Sequence, residues 1–282
     1  MITENPFSVL SEIISPAVMQ IYVVAMFVLV VGGTLLDTMH KKSAQWFYKN
    51  AEDAKKNATR EVTSGEKTSA AIGVVTKEIL TSGEFQNPKR RLSHLFTMWG
   101  FVLFVLTSAI MVFGYASPEA STPVIWPVLW HFGALSLCFG GYWFWFAIRV
   151  DVAAEGNPWY RVVRADLFIL SLLATVTFGL IWSFLQSTAG VTAGITLLFL
   201  GLFLLASTVL FAGVLWSKFA HMFFKPAAAY QKRITRLDGS AENLPTLSRD
   251  DPEQQKRHSM ELLKDAPMNM GLGIKREGPN HY

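Results

Sequence analysis

Apolar residues in this chain come in long unbroken runs, separated by stretches in which polar residues dominate. Five runs stand out: Pro16–Leu36, Leu95–Tyr115, Ile125–Ile148, Leu167–Leu185 and Ala193–Trp216. None of them contains Asp, Glu, Lys or Arg. A bilayer hydrocarbon core is crossed by about 20 apolar helical residues, so each run is long enough for one passage. The pattern predicts an all-α integral membrane protein with five transmembrane helices. The first run is expected to stay in place as a span, because no Lys or Arg precedes it and it is too long for a cleavable leader.

Helical spacing also recurs between the runs. In Lys42–Arg60, the residues Phe47, Ala51, Ala54 and Ala58 fall on one face with charges opposite, which predicts a helix lying on the inner membrane surface. Near Lys67–Leu80, Ile72, Val75 and Ile79 share a face. Asn87-Pro88 supplies a cap and a first-turn proline, so the second span is expected to begin below the membrane. The fifth span is expected to run on past Trp216 until Pro226 stops it. Within the third span, Gly133, Ser136 and Gly140 recur along one face, which lets neighbouring helices come close. The predicted organisation is an outer N-terminus with the first span (1–36), a cytoplasmic amphipathic loop (37–94), spans two to five with a cytoplasmic extension (95–236), and a largely irregular tail (237–282).

Composition sharpens this reading. Of 282 residues, 51% are apolar and only 16% charged, with a mean hydropathy of +0.31. Soluble domains carry about 25% charged residues, so one soluble core is excluded. The net charge of +4 could suggest nucleic acid, but the placement of the cations points to a membrane instead. Eleven of the 25 Lys and Arg lie between spans one and two, three between spans three and four (Arg149, Arg161, Arg164), and eleven after span five. The cytoplasmic side retains such residues, which predicts a periplasmic N-terminus and a cytoplasmic C-terminus in a cell inner membrane. Trp126 and Trp130 then mark the outer interface, and Trp99, Trp143, Trp145 and Trp216 the inner one. The single cysteine, Cys138, allows no internal disulfide and no thiolate-held cluster, so any iron–sulfur cluster belongs to a partner.

Candidate chemistry narrows to histidines. Ion-coupled carriers need ionisable groups at membrane depth, and the five spans hold no acid, Lys or Arg. His40 ends span one, His94 opens span two and His221 follows span five, so all three fall at the cytoplasmic boundary on different helices. A b-type haem in a helical bundle takes one axial imidazole from each of two facing helices at one depth. His94 with His221 meets that requirement, and His40 is the reserve ligand. Arg90 and Arg91 precede His94 by four and three positions, and Lys218 and Lys225 flank His221 by three and four. They could meet haem propionates or a partner protein. The plainer reading is open beside it: cations at inner helix ends follow from charge retention alone, and boundary histidines often face headgroups. His131 has no partner at its own depth, so the outer half offers no second haem site.

Three stretches carry a resemblance: NPKRRLSHLFTMWGFVLFV (Asn87–Val105), GGYWFWFAIRVDVAAEGNPWYRVVRADLFILSLLA (Gly140–Ala174) and WSKFAHMFFKPAAAYQKR (Trp216–Arg233), with the closing His281-Tyr282. Together they resemble the membrane-anchor family associated with adenylylsulfate reductase in sulfur-oxidising bacteria. The resemblance implies an anchor that docks this cytoplasmic flavin and iron–sulfur enzyme and passes electrons from sulfite and AMP oxidation to the quinone pool. A more distant likeness is to the five-span gamma subunit of respiratory nitrate reductase, which holds two b haems between its second and fifth spans. His94 and His221 match the inner pair of that pattern only; Phe104 and its neighbours are apolar where the outer pair would need ligands. The implied partners are the reductase, membrane lipid and quinone, with no nucleic acid. The competing reading is a cofactor-free structural anchor.

Overall fold

A computed structural model describes residues 2–241 and 244, apart from 41, 42, 84, 86, 152–155, 218 and 220. The described residues are helical and turn structure, without strands. They divide into two compact units. One comprises Met1–His40, Leu92–Ala147 and Trp159–Ala220; the other comprises Lys41–Arg91, Ile148–Pro158 and His221–Tyr282. Most of the predicted tail and Lys218 lie outside the described residues.

The first unit is the apolar bundle. Its helices are α1 (Pro6–Leu10), α2 (Pro16–His40), α5 (Pro88–Gly114, from Leu92), α6 (Ile125–Trp143), α7 (Leu167–Ala189) and α8 (Gly194–Ala212). Among the described residues, four helical segments are long and apolar enough to cross a membrane: Pro16–His40, Pro88–Gly114, Arg164–Ala189 and Gly194–Ala212. The expected third span is the helix α6, prolonged by the π-helical turn Phe144–Ile148. Trp126, Pro127, Trp130 and His131 interrupt its apolar character, so it stands apart from those four.

Close backbone approach joins α5 to α6. A methyl group placed on Gly100 would sit 2.6 Å from the Leu137 nitrogen, and one on Gly140 would sit 2.5 Å from the Ser93 carbonyl oxygen. Hydroxyls bridge the gap: Ser93 donates to the Gly140 carbonyl (2.8 Å) and Ser136 to the Phe96 carbonyl (3.0 Å). Small residues thus let two backbones meet, where lipid gives no hydrophobic incentive for helices to associate. The next residue, Gly141, faces Leu173 of α7. On the other side of the bundle, the Tyr22 hydroxyl of α2 donates to the Leu204 carbonyl of α8 (3.0 Å).

Nothing in the hydropathy pattern announces α1. Asn5 caps this short helix, its Oδ1 accepting from the Phe7 amide (3.0 Å), and its Nδ2 donates to the Tyr115 carbonyl (2.8 Å) and the Thr122 hydroxyl (3.1 Å). Gln186 donates to the Pro6 carbonyl (3.3 Å). These bonds hold Phe7 among large rings. It meets Trp130 edge-on at 6.1 Å and Trp182 at 5.7 Å, while Trp182 stacks on Phe203 at 5.5 Å and Phe104 touches Trp130 at 5.0 Å. Such ring pairs add about 0.5–1.5 kcal/mol each beyond their buried area.

The expected continuous fifth span is broken. Helix α8 ends at Ala212, a 3-10 turn covers Gly213–Leu215, and a separate helix α9 runs His221–Leu237. Phe219 explains the break. Its ring is 2% exposed, packed against Phe168 (5.4 Å), Phe211 (6.1 Å) and Phe101 (6.5 Å), and its amide donates to the Ser217 hydroxyl. Pro226 is no stop: it lies inside α9, in the second turn, where its missing N–H removes one bond near the helix start.

The second unit is polar and contains α3 (Ser43–Lys56), α4 (Ser64–Gly73, prolonged by the π-helical Val74–Ile79) and α9. Helix α9 packs on α3, on α4 and on the π-helical turn. Ala54 of the predicted apolar stripe is buried, and α3 is in contact with α9. On α4, Ala70 and Val74 face inward, whereas Ile72 and Val75 stay exposed, so the buried face is turned from the predicted one. The small Ala70 allows the neighbouring helix to approach, which the larger Ile72 would not. Arg233 of α9 pairs with Glu78 at 2.9 Å. Beyond α9, the Asp238 carbonyl accepts from the Thr59 amide (2.8 Å), and Gly239 turns away at φ +75° where a side chain would strike Thr59.

Thr63 and Glu66 form a capping box at the start of α4, and Arg60 grips both Glu66 oxygens (2.8 and 3.1 Å). The Arg60 hydrogen bond, followed by those from Thr63, lowers the Glu66 carboxyl from an ordinary 4.5 to about 2. A carboxylate held more acidic in the fold than in the unfolded chain stabilises the fold above the higher value and ceases to do so as protons return. We therefore expect the first turn of α4 to loosen as pH falls from about 4.5 through about 2, and not above that window. Amide exchange across Ser64–Lys67 checks this, and Glu66→Gln should flatten the pH response.

Candidate functional site

Asn87 caps α5 as expected, its Oδ1 accepting from the amides of Lys89 (3.0 Å) and Arg90 (3.2 Å). That cap fixes the phase of the residues singled out in the sequence. Arg91 turns back so that its Nε donates to the Thr81 carbonyl (2.7 Å). Arg90 places its guanidinium 5.7 Å from the Phe85 ring centre, and Lys225 of α9 brings its ammonium to 5.2 Å from the same ring. Two of the predicted cations are thus brought together, on an aromatic ring of the polar unit. Each such contact is worth about 0.5–1 kcal/mol at an exposed site.

The histidines fall less neatly. His94 is half-buried in the second turn of α5, and His40 is the exposed last residue of α2. His221 opens α9, but its side chain, like Lys218, lies outside the described residues, and so does the His94–His221 axial pair as such. The surroundings fit a haem poorly on one count. Arg90, Arg91 and Lys225, the cations expected to meet propionates, are engaged by Phe85 and by the Thr81 carbonyl.

His131 does have a partner at its depth, though of another kind. Its Nδ1 lies 2.7 Å from the Pro127 carbonyl and its Nε2 2.9 Å from the Ser183 hydroxyl. A carbonyl can only accept, so Nδ1 carries the proton and Nε2 accepts from Ser183. The Nδ1 bond stays within α6, and the Nε2 bond joins α6 to α7. Cys138 is half-buried, its Sγ 3.8 Å from the Thr177 hydroxyl, as befits a small packing residue.

Sequence reasoning treated Arg149 only as a topological charge, yet it is among the most buried side chains, at 1% exposure. Its Nη1 donates to the carbonyls of Pro158 (2.8 Å) and Asn157 (3.3 Å), and the Asn157 amide returns a bond to the Arg149 carbonyl (3.0 Å). The loop between α6 and α7 is therefore closed around a buried guanidinium. The turn residues Gly156-Asn157-Pro158 were the available signal for a shaped loop. Asp37, near the end of α2, is also buried and was likewise missed because it lies one residue past the apolar run.

Compared with protein-family models, with curated proteins and with solved structures, the chain matches none of them.

Proposed function

We propose that this chain is a five-span subunit of a cell inner membrane, N-terminus outside, that docks cytoplasmic adenylylsulfate reductase and delivers its electrons to quinone. One observation carries the reading. Cations far apart along the chain, the described ones of residues 49–91 and 225–236 together with Arg149, fall in a single compact unit, whereas Arg161 and Arg164 fall in the other. Segments retained on one side of a membrane by their charge have to be able to meet, and the shared membership of these cations in one unit supports that reading. A basic module of this kind suits a partner with acidic surface and the anionic lipid around it.

The chemistry needs such a device. Quinone dissolves in the bilayer and a cluster-bearing flavoenzyme does not, so something must hold the enzyme's terminal cluster beside the quinone. In this reading the subunit positions the two, and no electron step is routed through a haem. Vesicles with the cytoplasmic face outward, carrying the chain and supplied with the reductase, sulfite and AMP, should reduce added quinone. Vesicles lacking the chain should not, and equal rates in both overturn the reading.

A conducting version, carried by the sequence reading alone, would take His94 and His221 as the axial ligands of a haem b. The visible spectrum of the purified protein decides it. A reduced b-type band lost in His94→Ala and in His221→Ala establishes conduction, whereas a featureless spectrum leaves positioning alone.

A further inference from the structure

Helix α6 has two unlike faces. Its small residues Gly133, Ala134, Gly140 and Gly141 are all buried. The opposite face is exposed and bulky throughout, with Phe132, Leu135, Phe139, Tyr142 and Phe146. At the C-terminal end this face becomes a connected platform of rings. Tyr142 and Phe146 stack at 6.1 Å with only 17° between their planes, Phe146 meets Trp159 at 6.4 Å, and Trp159 meets Tyr160 at 5.8 Å. Trp159 comes from beyond the loop closed by Arg149, so two separate segments build the platform. The Tyr142 hydroxyl is held 2.8 Å from that of Thr177 on α7. Phe146 itself belongs to the π-helical turn Phe144–Ile148, a departure that recurs at functional sites.

Resting on the reading above, we propose that this platform of Tyr142, Phe146, Trp159 and Tyr160 is where a lipid-soluble quinone binds. A second helix is a poor occupant: close helix contact in lipid relies on small residues, and those of α6 are already buried. An acyl chain gains nothing from ring stacking or from donors. A flat, polarised ring gains from both, through offset stacking on Phe146 and Trp159 and through the Trp159 indole N–H and the Tyr160 hydroxyl as donors to its carbonyl oxygens. An interfacial aromatic belt needs only separate rings, each meeting headgroups by itself. Four rings in unbroken contact exceed that need.

The test uses the full chain in lipid nanodiscs with a photoreactive azido-quinone, followed by peptide mapping. Label should concentrate between Tyr142 and Arg161 and be displaced by excess unlabelled short-chain quinone. Trp159→Ala and Phe146→Ala should each lower it by about fivefold, as the loss of one stacking contact implies. Trp159→Phe, which keeps a ring, should restore most of it, and Phe132→Ala, equally exposed on the same helix but outside the platform, should change nothing. Label that is displaced by quinone yet concentrated on other helices overturns the platform and leaves the quinone reading standing. Label that no quinone displaces anywhere overturns both. Unchanged label in Trp159→Ala overturns the platform alone.

Discussion

Gly140→Val should cost the protein about 3 kcal/mol or more, enough to lose most of the folded population from detergent extracts. The reason is where the added carbons would go. Even the first would lie 2.5 Å from the Ser93 carbonyl oxygen and 2.7 Å from the Thr97 nitrogen, atoms of a helix backbone that no rotamer change can move aside. Relief requires α5 and α6 to separate, which breaks the Ser93 and Ser136 hydrogen bonds across the gap. Gly201→Val is the control. It lies on α8, where a methyl group would meet nothing within 4 Å, and should stay within about 1 kcal/mol of the parent. Thermal midpoints by fluorescence-detected size exclusion compare the two. Similar midpoints would mean that the α5–α6 crossing is looser than described.

Phe7→Ala should be the next most damaging change, at about 3–5 kcal/mol for a ring lost from a packed site. Phe7 is 7% exposed, and its loss removes contacts with both Trp130 and Trp182. The bonds from Asn5 and Gln186 hold the backbone of α1 in place, so the vacated space cannot simply collapse. Phe7→Leu, which keeps most of the volume, should cost about 1.5 kcal/mol or less. A red shift and quenching of tryptophan emission in the alanine variant, absent in the leucine variant, would report water or detergent reaching Trp130 and Trp182. Unaltered emission in both would show that α1 does not seal these rings.

How far the sequence foretold these features depends on what each feature responds to. The start of α5 was legible because an Asn-Pro pair caps a helix by purely local bonds, and Asn87 does so. The close-packing face of α6 was legible because small residues at helical spacing in an apolar run have few other uses. The break between α8 and α9 was not legible: residues 213–220 look like continuing helix, and the turn exists because Phe219 finds three rings to pack against. Of the predicted site, Arg90 and Lys225 do converge, but on Phe85, a residue that no motif or spacing singled out. Arg149 shows the same limit, since an arginine after an apolar run reads as a surface charge until a loop folds over it.

What the chain decides by itself, then, is which segments are apolar helices and which segments carry the cations. Lipid solubility and charge act on each stretch of residues whatever its neighbours turn out to be. The tertiary structure alone decides that α1 docks through Phe7, that α4 buries Ala70 and Val74 instead of Ile72, and that rings from α6 and the following loop meet in one platform. Those outcomes depend on which surfaces arrive together in space, and side-chain packing becomes definite only once both surfaces are present.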